Sequence, residues 1–139
     1  MSSLNFFDAF KENALEVMHL GTDQLRVALC AAANAPVAGN SVLADLTEIS
    51  YTNCSSRDIT TDSSTQTSGT YKLTLADLTL TASGGSVGPF RYVVIYDDTP
   101  TGPADPLIGW YDYGDDVTLL DTEELLINFD DAQGFLQAS

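Results

Sequence analysis

Apolar residues recur at helical spacing in one stretch only. Phe7, Phe10, Ala14 and Val17 share a stripe that Phe6 and Met18 widen, with Asn5 where a cap would stand, Asp8 and Glu12 in the early turns, and Gly21 as the stop. The pattern predicts a short N-terminal helix. Its large side chains must bury against this chain's own sheet or against a neighbouring subunit.

From Gln24 onward the period changes to two. Leu25, Val27 and Leu29 alternate with Arg26 and Ala28, which predicts a strand over 25–31, and Asn34, Pro36 and Gly39 break it. Residues 41–51 fit neither period cleanly and read as extended. A short strand is predicted at 57–61, followed by the polar run TDSSTQTSG, which has almost nothing to bury and reads as an exposed loop. Tyr71, Leu73 and Leu75 share one face, whereas Leu78, Leu80 and Ala82 lie in the opposite phase, so a bulge or corner belongs at Ala76 and Asp77.

The stretch SGGSVGP reads as a glycine-rich turn ahead of FRYVVIY (90–96), the most central strand, apolar on both faces apart from Arg91. A loop, DDTPTGPAD, separates it from the aromatic strand 107–113, which Gly114 closes. Leu125, Ile127 and Phe129 alternate in a further strand, and DDAQG turns the chain into Phe135 and Leu136. Six to eight strands at this spacing predict a mainly β fold: one β-sandwich, jelly-roll-like or barrel domain over 1–139, with 1–22 as a helical arm and 23–139 as the β domain.

Composition narrows the function. Twenty acids against five bases leave a net charge of −15 across 139 residues. Such a field repels phosphate, so neither nucleic acid nor an anionic membrane is an expected partner. No apolar run approaches the ~20 residues of a membrane-crossing helix, and the N-terminus lacks the basic start and apolar centre of a secretory signal; a soluble chain made in the cytoplasm is expected. Cys30 and Cys54 form no CxxC or zinc pattern and are expected to be reduced thiols.

Candidates for chemistry are few. The single histidine, His19, stands at the expected helix C-terminus, where imidazoles cap carbonyls, and no Ser or Cys motif frames a nucleophile for it. The acidic pairs Asp97-Asp98, Asp115-Asp116, Glu123-Glu124 and Asp130-Asp131 fall in loops and at strand ends, where carboxylates keep ordinary acidity, so no enzymatic activity is expected. Two groups, Asp97 with Asp98 and Asp105, and Asp112 with Asp115 and Asp116, are the candidates for Ca²⁺; neither follows D-x-D-x-D-G spacing, and no cofactor is expected. Gly84, Gly85 and Gly88 precede a strand rather than a helix, so they do not make a phosphate loop. Tyr92, Tyr96, Trp110, Tyr111 and Tyr113 could form a sugar-stacking platform, although alternation turns half of them into the core.

Several stretches in order, HLGTDQLRVAL (19–29), NAP (34–36), VLADLTEIS (42–50), LTASGG (80–85), GPFRYVVIYDDT (88–99) and LIGWYDYG (107–114), resemble small structural proteins of tailed-bacteriophage virions. The likeness covers most of the chain and departs at residues 51–55, where such proteins carry an Asn-Gly-Tyr turn. It implies a non-enzymatic decoration or cement protein on the capsid exterior. Such a protein binds major capsid protein at subunit joints and its own copies, most simply as a trimer. A tail protein, or a carbohydrate-binding module using Trp110, Tyr111 and Tyr113, is the alternative. The candidate interface residues are Phe6, Phe7 and Phe10, with Trp110 and Tyr111 if they are exposed.

Overall fold

The computed structural model describes residues 4–129 and 134–138. In chain order its elements are β1 (Asn5–Phe6), α1 (Phe10–Glu16), β2 (Leu25–Cys30), β3 (Asp58–Ile59), β4 (Thr61–Thr67), β5 (Thr70–Leu75), β6 (Leu78–Thr81), β7 (Val87–Asp97), β8 (Leu107–Leu119), β9 (Glu124–Ile127) and β10 (Leu136–Ala138). The protein is mainly β, with one helix and antiparallel sheets in a sandwich-like arrangement. A five-stranded sheet runs β1-β8-β7-β2-β3; a three-stranded sheet β10-β5-β4 and a β6-β9 ribbon share its core.

As expected from FRYVVIY, β7 lies at the centre of the large sheet and is buried on both faces. Phe90, Val93 and Ile95 join Val27, Leu29, Leu73, Leu80 and Ile127 in the main core. Tyr92, Val94 and Tyr96 enter a second cluster with Ala28, Cys30, Leu107 and Phe7, against which Leu43, Leu46 and Trp110 pack. Register shifts on either side of Phe90 put it on the same face as Val93, three residues on, where strict alternation would not.

Beyond the short β3, the outer edge of β2 is closed by side chains as well as backbone. Val27 N–H donates to Arg57 O at 3.0 Å and Ile49 N–H to Leu29 O at 3.0 Å. Arg57 Nη1 donates to Val27 O at 2.6 Å and Leu29 N–H donates to the Tyr51 hydroxyl at 2.9 Å. That hydroxyl in turn donates to Glu48 at 2.6 Å, and the Arg57 guanidinium lies 3.6 Å over the Tyr51 ring. The long loop thus blocks an edge that would otherwise template another chain.

Several expectations are corrected. Asn5 caps nothing: it pairs with Trp110 across β1 and β8, and α1 begins only at Phe10, behind Ala9. In the extended arm Phe6 and Phe7 point to opposite sides, Phe7 into the second cluster, so burial that mimicked a helical stripe comes partly from a strand. The helix ends at Glu16 with Val17 as its C-cap, before Gly21, so His19 does not cap it; the His19 carbonyl accepts Thr22 and Asp23 N–H in a following turn instead.

Residues 41–51 contain a 3₁₀ turn at Leu43–Asp45, where the Asp45 carboxylate accepts the N–H groups of Ser41 and Val42 and is held below its ordinary pKa by them. The run TDSSTQTSG is a hairpin rather than a loop: β4 pairs with β5 through Ser68 and Gly69, both left-handed (φ 51° and 84°), the geometry of a tight primed turn. Gly88 and Pro89 belong to β7; at φ 121° an added Cβ on Gly88 would sit 2.6 Å from Val117 O. Gly114 does not end β8, because pairing to β7 continues through Phe90–Val117 and Val87–Leu119.

The corner at Ala76 and Asp77 is present, separating β5 from β6, which belong to different sheets. Ala76 N–H donates to Thr60 O, and Asp77 accepts Phe129 N–H at 3.1 Å. The turn expected over DDAQG, with Asp130-Asp131, lies outside the described residues except for Gly134.

Gly109 lets the arm dock. An added Cβ would stand 2.6 Å from Asn5 O, and the next residue pair is joined by Phe7 N–H to Ile108 O at 3.2 Å. Gly109→Val is therefore expected to lift β1 and Phe7 from the sheet, raising the amide-exchange rate of Phe7 at least tenfold while β2–β7 amides keep their protection; unchanged Phe7 exchange contradicts this docking.

Candidate functional site

The five candidate interface residues separate into two groups. Phe7 is 1% exposed and meets Trp110 at 4.7 Å between ring centroids; Tyr111 is buried with its ring 6.5 Å from that of Phe129. Both complete the core, and half-buried Trp110 packs on the second cluster. With Tyr92 and Tyr96 also buried, the five rings do not assemble into one sugar-stacking surface. Phe6 and Phe10 are brought together: their rings stack at 5.6 Å and 9° at one end of a groove.

That groove is the candidate site. It has a volume of about 930 Å³ and runs between α1 with its following turn and the β10-β5-β4 sheet. Phe10, Ala14 and Leu15 form the helical wall, and Met18 and Leu20 continue it. Tyr71 and Leu136 line the sheet side, where the Tyr71 hydroxyl bonds Ser64 Oγ at 2.7 Å. Phe6 is 43% exposed and Leu15 88% exposed, a level at which a leucine gains nothing from its own fold. Among the described residues lining it there is no Asp or Glu, whereas Lys11 and His19 both do so.

Leu15, Leu136 and Tyr71 are absent from the sequence-derived candidates. Leu15 could have been found: it is an apolar residue off the Phe7–Phe10–Ala14–Val17 stripe, flanked by the charged face of Lys11, Glu12 and Glu16. Leu136 and Tyr71 could not, because they reach the groove only through the β10–β5 pairing.

The carboxylates mostly satisfy local backbone. Asp121 accepts Gly84 N–H at 2.9 Å and Glu123 accepts Leu120 N–H at 2.8 Å. Asp112 takes both Arg91 Nε and Nη2 and also Gly114 N–H, and its pKa is lowered by them, Arg91 first. Asp115 and Asp116 are exposed on β8. Among the described residues no three His, Cys, Asp or Glu side chains converge as a metal site, the two aspartate groups considered for Ca²⁺ included. Cys30 and Cys54 are free thiols, and burial raises the pKa of both, Cys30 to about 11, which suppresses the reactive thiolate.

Asp97 is the exception. It is fully buried at the end of β7; one oxygen accepts Thr99 N–H at 3.2 Å and Oδ2 has no donor. Burial first, then the neighbouring Asp23 carboxylate, pushes its pKa up to about 8. A proton held by Asp97 is what reconciles the two acids. Asp105 is likewise raised, by burial and then by Asp98.

No family model matches the chain, and no curated protein or solved structure matches it significantly.

The sign of the Asp97 effect follows from its raised pKa. Below about pH 4 the carboxyl is protonated folded or unfolded; as pH rises from there to about 8 the unfolded chain gains by ionising and the folded state loses stability, with no further loss above. Asp97→Asn keeps an acceptor for Thr99 and offers Asp23 an N–H donor. Its melting temperature relative to wild type is expected to climb between pH 4 and pH 8 and then level off. A difference constant with pH contradicts the buried proton.

Proposed function

We propose that this chain is a non-enzymatic structural protein that works by docking onto a protein partner through the α1 groove. In its fuller form it is a decoration or cement protein on the outside of a tailed-phage capsid, seated where major capsid subunits meet and associating with its own copies, most simply as a trimer. The observation that carries the docking reading is the continuous apolar groove bearing Leu15 at 88% and Phe6 at 43% exposure. Apolar surface of this kind gains about 25 cal/mol per Å² only when something covers it.

A standard interface of about 800 Å² per partner is enough for such a seat, and repetition over a shell multiplies weak contacts. The net charge of −15 suits the exterior of a particle and is ill matched to packaged DNA inside it. The order of phage-like stretches supports the virion assignment. The groove supports docking irrespective of whether head or tail supplies the partner.

The test is co-sedimentation with capsids assembled without this chain. Wild type is expected to pellet with the shells and raise their resistance to heat. Leu15→Asp, at a position too exposed to matter to the fold beyond about 0.5 kcal/mol, is expected to weaken shell binding at least tenfold. Undiminished binding by the Leu15→Asp protein contradicts the proposal, as does failure of the wild type to bind shells.

A further inference from the structure

The described lining of the groove combines apolar side chains with a lysine. The chain carries twenty acids, yet none of its described groove-lining residues is Asp or Glu. Arg26, Arg57 and Arg91 face Asp58, Glu48 and Asp112 as ion pairs, whereas exposed Lys11 has no ion-pair partner among the described residues. Lys11 stands one helical turn before Leu15, so the two share a face of α1 and both line the groove. An ammonium beside exposed leucine, with no acid among the described lining residues, gives the groove one cationic contact on a strongly acidic protein.

We propose that the occupant of the groove is a segment of a partner protein in which apolar side chains flank a carboxylate, the carboxylate meeting Lys11 while the apolar groups enter between Leu15, Leu136 and Phe6. This rests on the docking reading above and names the chemistry of its partner. A lipid surface fits less well. An anionic bilayer is repelled by the −15 charge, and a zwitterionic one offers no carboxylate to the lysine. β10, the terminal strand of its sheet, contributes Leu136, Gln137 and Ala138 to the lining, so an extended segment in the groove meets its residues as well as α1.

Decanoate and decyltrimethylammonium, each below its micelle concentration in 0.15 M salt, probe the groove with the same tail and opposite heads. The overall charge favours the cation, so a preference for the carboxylate reads Lys11. Titration of the full chain, followed by NMR shifts of the groove-lining Leu136 and Leu20 methyls, is expected to give decanoate about two- to fivefold tighter binding, the scale of a rim ion pair. Lys11→Met is expected to erase or reverse that ratio while the cation still binds, and Leu15→Asp to abolish both. Equal affinities, a preference for the cation, or a ratio unchanged in Lys11→Met overturns the carboxylate; if capsid binding still depends on Leu15, the docking groove stands without it. Leu15-dependent flotation with phosphatidylcholine vesicles overturns the proposal in favour of a lipid site.

Discussion

A central strand with two apolar faces has to be covered twice, and most of this architecture follows from that requirement. One face of β7 is closed by the β10-β5-β4 and β6-β9 strands, which supply Leu73, Leu80 and Ile127, with Phe129 just beyond β9. The other, with no second sheet over it among the described residues, is closed by Phe7, Leu43 and Leu46, with Trp110 of β8 packed beside them. The arm must therefore cross β8, which Gly109 permits by leaving room for Asn5 O. Once Phe7 is drawn inward, the adjoining Phe6 faces out and α1 is delivered beside β10. The groove is a by-product of that delivery: α1 buries Phe10 and leaves Leu15 uncovered.

Charge works on a second level. With twenty carboxylates the chain resists non-specific association, and it uses many of them as local acceptors, at Asp45, Asp77, Asp121 and Glu123. Each replaces a missing backbone partner at a turn or strand end. Asp97 is driven inside with one oxygen unmatched and retains a proton. The described lining of the groove presents apolar groups and a lysine without any acid.

What could be read from sequence depended on whether the signal was local. FRYVVIY declared a two-sided central strand, and the phase change at Ala76 and Asp77 declared a corner. The TDSSTQTSG hairpin was hidden because β4 contributes backbone pairing and almost no burial; its only signal was the Ser68-Gly69 turn. The N-terminus misled because Phe7 and Phe10 are buried for different reasons, one through an extended arm and one through a helix. Of the candidate interface residues, Phe6 and Phe10 lie at the groove. Tyr111 and Phe7 serve the core, a distinction that depends on which layer covers each face of the sheet. Leu136 enters the site through pairing with a strand more than sixty residues earlier, which no periodicity encodes.

On the proposed reading, the exposed face of α1 is a seat for another protein. A cryo-electron-microscopy map of intact particles containing this chain tests it most directly. Density for this fold is expected on the particle surface, with a partner chain against Leu15 and Phe6. Particles in which that face points to solvent, or which contain no copy of the protein, would contradict it.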